Sequence, residues 1–262
     1  MAETQGTSAK WGDLGPRVIS SVVLVALGVG AIWAGGLAFG ALVVLAVGLI
    51  TWEVARMCAP DRATLWAPLG LLAAAALFAS FWVSGIWIAA LLWVGVLVAA
   101  GVVGTSGDRI RLVLYLAYIL IAGWGIVQLR IDGIWPVVWL VAVVVATDIA
   151  GYFAGRIIGG PKFWPRVSPK KTWSGTAAGW IAAALVGVAF VGVLGPGIIW
   201  LSMIVSFASQ MGDAAESALK RSKGVKDASA IIPGHGGVFD RFDALLAAAF
   251  IVTLAQLVGL GG

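Results

Sequence analysis

The chain of 262 residues contains a single cysteine, Cys58, and a single histidine, His235. One cysteine excludes a disulfide bond within the chain. One cysteine and one histidine together argue against a zinc centre, which needs several Cys or His ligands. Charged side chains are also scarce, at 11% of the sequence. Soluble domains carry about 25%. The chain therefore has too little polar material to cover a water-soluble core.

Apolar residues make up 61% of the sequence and gather in runs of about 20 residues, the length that crosses ~30 Å of hydrocarbon as a helix. We predict an all-α, polytopic integral membrane protein with about nine transmembrane helices. The spans are expected near residues 17–34, 37–57, 64–83, 85–104, 111–129, 134–156, 176–194, 197–216 and 243–260.

The positions of the lysines and arginines support this count. If the N-terminal tail, residues 1–16, lies in the cytoplasm, every one of the 17 basic residues except Arg130 falls on the cytoplasmic side. That bias is the one the positive-inside rule describes, so we predict a cytoplasmic N-terminus. The net charge of +5 then reflects basic residues beside anionic lipid. We expect membrane lipids, and no nucleic acid, among the partners.

The two halves of the sequence differ. Residues 17–130 form an N-terminal region of five predicted spans with short loops. Residues 131–262 hold four spans, and the two longest loops, at about 157–175 and 217–242, both face the cytoplasm in the predicted orientation. We therefore predict that residues 131–262 form a catalytic transmembrane domain.

A first polar cluster lies near the cytoplasmic end of the sixth span. Asp148, Tyr152 and Arg156 are spaced four residues apart, so a helix places them on one face. An acid within a span is costly and usually faces the protein interior or a water-filled cavity. Two interpretations stay open, a structural Asp–Arg pair that locks helices together and a functional site.

A second cluster precedes the seventh span. Ser168 and Pro169 predict a turn, and Lys170, Lys171 and Thr172 follow directly. Adjacent lysines and a hydroxyl near a helix start suit phosphate oxygens. A basic loop resting on anionic lipid headgroups explains the same residues, and taken alone it is the commoner case.

A third cluster begins where the eighth span ends. Asp213, Glu216, Ser217 and Lys220 form a polar stripe on one helix face, and the basic loop that follows ends in PGHGGVFDRFD. A solvated loop explains the lysines, but not the glycines or the acids at the membrane boundary. Such glycines let backbone N–H groups approach an anion, and carboxylates without thiolate ligands suit Mg²⁺ or Mn²⁺. The combination predicts phosphoryl or nucleotidyl transfer.

The segment from Ser217 to Asp243 resembles the signature of the phosphatidate cytidylyltransferase (CDP-diacylglycerol synthase) family. The matching pattern is Ser-x-x-Lys-Arg, four residues, Lys-Asp, five residues, and Pro-Gly-His-Gly-Gly-x-x-Asp-Arg-x-Asp. The motifs at 148–156 and 168–172 resemble the family as well. The resemblance implies a nucleotidyltransferase that transfers CMP from CTP to phosphatidic acid, giving CDP-diacylglycerol and pyrophosphate for phospholipid biosynthesis.

The expected cofactor is Mg²⁺ or Mn²⁺, and binding of a second cation stays open. The resemblance also implies roles for the polar residues around the metal. The expected metal ligands are Asp213 and Asp240, with Asp148, Glu216 and Asp243 supporting them or holding a second ion. The residues expected to act in catalysis are Asp213, Asp240, Lys220, Arg221 and Lys226. The residues expected to bind substrate are Ser168, Lys170, Lys171, Thr172, Ser217, Asp227, His235, Gly236, Gly237, Arg241, Tyr152 and Arg156.

Three alternatives stay open. A CTP-dependent lipid or prenol kinase would need a base for its hydroxyl nucleophile, for which Asp148 or Asp213 would serve. A cytidylyltransferase for another lipid phosphate is a close variant. A transporter would place acids at mid-span in broken helices, whereas the acids here gather at one membrane face, which disfavours transport.

The expected location is the bacterial inner membrane, with the active site facing the cytoplasm. CTP would arrive from the cytoplasm, and phosphatidic acid would enter from the bilayer. The family resemblance suggests a homodimer.

Overall fold

The computed structural model describes residues 14–83, 86–105, 107–165 and 168–259. Nine α-helices make up most of these ranges, and their apolar lengths confirm the predicted class of all-α polytopic membrane protein. The helices are α1 (Leu14–Ala34), α2 (Gly36–Cys58), α3 (Ala63–Ser80), α4 (Ile86–Val103), α5 (Arg109–Asp132), α6 (Ile134–Ile157), α7 (Trp173–Leu194), α8 (Ile198–Ser222) and α9 (Phe239–Leu257).

Each predicted span has a helix at its position, with ends a few residues away. Within the described ranges, seven helical segments are long and apolar enough to cross a membrane. The helix α4 contributes a shorter apolar segment, Ala89–Val103. The helix α9 begins with three charged residues, Asp240, Arg241 and Asp243. The count of nine crossings and the cytoplasmic N-terminus stay predictions.

Large apolar side chains cover the outside of the helix bundle. Trp33, Trp87, Leu91 and Ile157 are all exposed on the surface of the chain. An apolar surface of this extent suits lipid tails rather than water. The helix α1 is the most peripheral one, because its apolar segment Arg17–Ala34 has no buried residue.

The helices α6 and α7 pack closely through glycines. A Cβ added to Gly175 would lie 2.6 Å from the carbonyl oxygen of Gly151, which is too close for any side chain. Small residues at such crossings let membrane helices approach each other. The contact fixes the distance between the face of α6 that carries Asp148 and the start of α7.

A short antiparallel sheet, which the sequence analysis did not predict, connects α6 to α7. Its strands are β1 (Lys162–Trp164) and β2 (Ser168–Thr172), with Lys162 opposite Thr172. The predicted turn at Ser168 and Pro169 is therefore wrong, since both residues lie in β2. Proline is compatible with an edge strand, and both strands of a two-stranded sheet are edges.

The helix α5 joins the first helices of the bundle to the last ones, since it packs against both α2 and α9. Tyr115 on α5 donates a hydrogen bond to the carbonyl oxygen of Ala215 on α8, at 3.0 Å. Asp108, just before α5, forms an ion pair with Lys223, just after α8. The hydrogen bond from Lys223 lowers the pKa of Asp108 below its usual value.

Candidate active site

A polar cleft of about 670 Å³ opens between the C-terminal end of α6, the start of α7, the C-terminal part of α8 and the start of α9. All four helix ends lie on the side that the charge pattern predicts to be cytoplasmic. The charged side chains described in its lining are Asp148, Asp213, Glu216, Asp227, Asp240, Asp243, Arg156, Lys171, Lys220 and Arg241.

Acids outnumber bases in this lining by six to four. A cleft with that excess of carboxylates repels a phosphorylated substrate unless cations accompany it. The arrangement of the acids shows where a cation fits.

Three carboxylates meet at the base of the cleft. Asp213 and Glu216 lie one turn apart on α8, and Asp243 faces them from the first turns of α9. One oxygen from each of the three lies within 4.8 Å of the other two. We call these residues the carboxylate cluster, and its geometry is suitable for holding a metal ion.

Glu216 supplies a separate indication that a cation belongs there. Its side chain is 2% exposed, and its Oε1 atom has no hydrogen-bond partner within the part of the chain that the structure describes. A buried carboxylate oxygen without a partner is costly, and coordination to a cation would remove that cost. A set of oxygen ligands alone suits a hard cation such as Mg²⁺.

Two lysines flank the carboxylate cluster. Lys171 Nζ lies 2.5 Å from Asp213 Oδ2 and donates to the carbonyl oxygen of Gln210 at 2.9 Å. Lys220 Nζ lies 2.8 Å from Glu216 Oε2 and 2.5 Å from Asp240 Oδ1. Both ammonium groups are thus at the edge of the cluster, where they can also reach phosphate oxygens in the cleft.

Asp240 lies outside the carboxylate cluster, and its predicted role as a metal ligand stays a prediction. Besides Lys220, it contacts two backbone donors, because Oδ2 accepts hydrogen bonds from Ala228 N at 2.9 Å and Gly237 N at 2.7 Å. Asp243, one turn later, takes the position in the carboxylate cluster instead. Sequence spacing could not distinguish these two acids, since both begin the same helix.

The first predicted cluster forms one wall of the cleft, as its spacing indicated. Asp148, Tyr152 and Arg156 all contribute to the lining. Arg156 Nη1 donates to Tyr152 Oη at 2.6 Å, and the structure describes no salt bridge between Asp148 and Arg156. Arg156 thus contacts Tyr152 on its own helix, which gives no support to the interpretation as a helix-locking Asp–Arg pair.

Thr172 and Lys171 also line the cleft, whereas Ser168 does not. The Thr172 hydroxyl accepts a hydrogen bond from Gly175 N at 3.2 Å and so caps the N-terminus of α7. The side chain of Lys170 lies outside the described part of the structure.

His235 is not among the described lining residues of the cleft, and its predicted phosphate-binding role stays a prediction. Its Nδ1 atom lies 2.8 Å from Ser20 Oγ, and its Nε2 atom lies 3.1 Å from Ser21 Oγ. Both serines belong to α1, so the imidazole attaches the loop to the most peripheral helix. No pattern in the sequence indicates that α1 and this loop are neighbours.

The remaining predicted residues are divided between the cleft and the surrounding surface. Asp227 and Arg241 line the cleft, and Arg241 Nε donates to the carbonyl oxygen of His235 at 3.1 Å. Ser217 Oγ donates to Asp213 Oδ1 at 3.4 Å. Arg221 and Lys226 are exposed and lie outside the cleft lining.

Gly236 and Gly237 act through the backbone around Asp240 rather than by lining the cleft. Gly236 has a φ of 84°, and a Cβ there would lie 2.9 Å from Asp240 Oδ2. Gly237 N donates one of the two backbone hydrogen bonds that Asp240 Oδ2 accepts. The close wrapping of this loop around the Asp240 carboxylate explains the glycine at position 236.

Glu53 on α2 was not among the predicted site residues. This residue is fully buried and accepts three hydrogen bonds, from Ser229 Oγ at 2.5 Å, Val238 N at 2.8 Å and Phe239 N at 2.6 Å. The available signal was the same as for Asp148, an acid within an apolar span. The first half of the chain therefore reaches the loop that borders the cleft.

The fold and the cleft define a membrane-embedded protein whose polar site combines a carboxylate cluster with lysines. The sequence model of the cytidylyltransferase family matches residues 15–258. The chain belongs to this family.

Among its relatives is a phosphatidate cytidylyltransferase of Brucella suis, which is 39% identical over an alignment of 267 positions that covers 92% of this chain and 93% of the relative. Phosphatidate cytidylyltransferases of Staphylococcus haemolyticus and Helicobacter pylori are 37% and 41% identical over 134 and 115 residues. These shorter matches cover 49% and 42% of this chain, and 50% and 42% of the relatives.

Proposed function

We propose that the protein transfers CMP from CTP to phosphatidic acid, giving CDP-diacylglycerol and pyrophosphate. The observation that carries the proposal is the carboxylate cluster flanked by Lys171 and Lys220 in a membrane-embedded cleft. Membership of the cytidylyltransferase family and the names of the relatives point to the same activity.

The reaction needs no nucleophile from the protein. A phosphate oxygen of phosphatidic acid attacks the α-phosphorus of CTP, and the bond from that phosphorus to the oxygen that leads to the β-phosphate breaks. Pyrophosphate leaves with the electron pair. The attacking phosphate has a second pKa near ~6 and is ionised at neutral pH. The site has to align two polyanions and offset their charge.

The carboxylate cluster would hold Mg²⁺ or Mn²⁺ through Asp213, Glu216 and Asp243. When bound, such an ion offsets negative charge on phosphate oxygens and orients them. Asp148 lines the same cleft and is a further oxygen donor for a second cation. Asp240 keeps a supporting role in this proposal, because it orients Lys220 beside the cluster.

The basic side chains would divide the phosphates between them. Lys171 and Lys220 lie next to the carboxylate cluster and would contact the triphosphate. Tyr152, Arg156 and Arg241 are further donors in the lining and would contact the lipid phosphate. Arg221, in the last turn of α8, and Lys226, in the loop that follows, are exposed and stay predictions for catalysis. Ser168, Lys170 and Ser217 stay predictions for substrate binding.

The cleft position suits two substrates from different phases. In the predicted orientation the cleft opens toward the cytoplasm, where CTP is dissolved, at the ends of helices whose outer surfaces face lipid. We propose the bacterial inner membrane as the location and phosphatidic acid entry from the bilayer. The homodimer implied by the family resemblance stays a prediction.

The test is to supply the purified protein in detergent with phosphatidic acid, labelled CTP and increasing Mg²⁺, and to identify both products. Pyrophosphate together with a CMP-bearing lipid is the expected result. Release of CDP with a newly phosphorylated lipid alcohol would instead identify a kinase. Replacing phosphatidic acid by other lipid phosphates separates the close variants by their relative kcat/KM.

A further inference from the structure

Glu53 contacts two separate segments of the loop between α8 and α9. Its Oε1 atom accepts hydrogen bonds from Ser229 Oγ and Val238 N, and its Oε2 atom accepts one from Phe239 N. The residue itself is on α2, far away in sequence, and its side chain is fully buried. One carboxylate thus joins the beginning and the end of this loop.

The two backbone donors are the first free N–H groups of α9. An α-helix leaves such groups without partners at its N-terminus, and a capping side chain usually satisfies them. Val238 occupies the capping position and has no polar side chain to do so. Glu53, which lies on α2, caps the N-terminus of α9 instead, and its negative charge is favourable at a helix N-terminus.

The segments that Glu53 holds are the ones that bind Asp240. Ala228 N and Gly237 N both donate to Asp240 Oδ2, and these residues directly precede Ser229 and Val238. Each of these two contacts of Asp240 is therefore one residue away from a contact of Glu53. Asp240 in turn binds Lys220, which also pairs with Glu216 of the carboxylate cluster.

We infer that Glu53 is a positioning residue of the active site, which sets the place of Lys220 beside the carboxylate cluster by holding both donor segments of Asp240. This inference rests on the proposed function for its kinetic consequences. It gives the first half of the chain a part in the reaction, although every described residue of the cleft lining lies at Thr147 or later in the sequence.

Gly237 provides independent support for the contact between Glu53 and the loop before α9. A Cβ added to this residue would overlap Glu53 Oε1 and lie 2.9 Å from Glu53 Cδ. The carboxylate can reach Val238 N and Phe239 N only because position 237 has no side chain. The glycine and the glutamate are therefore coupled through space.

The first test is Glu53→Gln. All three partners of Glu53 are hydrogen-bond donors, and glutamine has only one acceptor oxygen. Its NH₂ group would therefore face a donor of the loop, and at least one hydrogen bond would be lost. We expect kcat for CDP-diacylglycerol formation to fall about 10- to 100-fold, as for other residues that orient a ligand-binding group. The KM values for CTP and phosphatidic acid should change less than kcat, and Glu53→Asp, which keeps two acceptor oxygens, should recover part of kcat.

Asp108→Asn is the matched control. Asp108 is also an acid of the first half that contacts the second half, through Lys223, but it does not contact the loop segments around Asp240. We expect this variant to keep its kcat. Thermal unfolding and size-exclusion profiles of each variant show whether the protein is folded under the assay conditions.

Amide hydrogen exchange provides a readout that does not depend on activity. Glu53→Gln should accelerate exchange at residues 228–239, whereas Asp108→Asn should not. A double-mutant cycle of Gly237→Ala with Glu53→Asp completes the test, because the shorter acid makes room for the new methyl group. The two changes should then be strongly non-additive.

Three results would overturn the inference. They are a folded Glu53→Gln protein with wild-type kcat, unchanged exchange at residues 228–239, and equal losses of activity in Glu53→Gln and Asp108→Asn that follow their thermal stability. A wild-type protein that forms no CDP-diacylglycerol would overturn the proposed function instead, and the exchange experiment would still decide whether Glu53 holds the loop.

Discussion

Glu53 and Glu216 are two glutamates that solvent hardly reaches, one in each half of the chain, yet their surroundings are opposite. Both oxygens of Glu53 accept hydrogen bonds from the loop before α9. Glu216 pairs with Lys220 through one oxygen, while its other oxygen is buried without a described partner. An acid in a membrane protein therefore has to be interpreted from its contacts, since a satisfied carboxylate orients its neighbours and an unsatisfied one can receive a ligand.

The largest effect is expected from Glu216→Gln, which removes a charge from the carboxylate cluster. We expect kcat to fall roughly 100-fold or more, the size of effect seen when a group that stabilises developing charge is lost. The rate of CDP-diacylglycerol formation as a function of Mg²⁺ concentration tests this, and the apparent affinity for Mg²⁺ should fall as well.

Asp132→Asn serves as the control for this variant. Asp132 is at the opposite end of α5 from the cleft, where it accepts a hydrogen bond from Gln256 at 3.4 Å. Equal rates in Glu216→Gln and Asp132→Asn would remove the distinction between the two glutamates, because Glu216 would then have no special role.

An intermediate effect is expected from the two lysines, which differ in burial. The Lys220 side chain is 15% exposed and lies between the buried carboxylates of Glu216 and Asp240. Removing one partner of a buried ion pair lowers the free energy of unfolding by about 3–5 kcal/mol, because the remaining charge is left unpaired. Lys171 pairs with Asp213, which is 41% exposed, and pairs of this kind contribute about 0–1 kcal/mol. Lys220→Met should therefore lower the unfolding temperature clearly, and Lys171→Met should not.

Both lysine variants should lower activity, since both ammonium groups border the carboxylate cluster. Thermal unfolding in detergent, measured beside the rate at saturating CTP, separates loss of stability from loss of catalysis. If Lys171→Met were the less stable of the two, burial would not be the property that distinguishes these lysines.

The smallest effect is expected from His235→Ala. The imidazole contacts Ser20 and Ser21 of α1 and not the cleft, so we expect kcat to change less than about threefold, or under ~0.7 kcal/mol. The double variant Ser20→Ala, Ser21→Ala should behave in the same way. A loss as large as that of Glu216→Gln would support the predicted phosphate-binding role of His235 and contradict this expectation.

Hydrophobic length alone was sufficient to predict the helices, because a segment that crosses hydrocarbon must satisfy its own backbone hydrogen bonds. Helical spacing also placed Asp148, Tyr152 and Arg156 on one wall of the cleft. These are local properties, which depend only on neighbours along the chain.

The parts that could not be predicted depend on contacts between distant segments. The spacing of Asp240 and Asp243 is compatible with either acid joining the carboxylate cluster, and the fold of the loop decides between them. The contact between His235 and α1 joins residues more than 200 positions apart. Glu53 was predictable as an unusual residue, but its partners were not.

The contact between Glu53 and the loop before α9 also limits how this protein can be divided. A fragment beginning at residue 131 would contain every described cleft residue and still lack the carboxylate that satisfies Val238 N and Phe239 N. In a chimaera of two relatives with a junction near the middle of the chain, residue 53 and the loop before α9 come from different parents. We expect such a hybrid to keep a working active site only when residue 53 and residues 228–239 come from compatible parents, so these two segments have to be exchanged together.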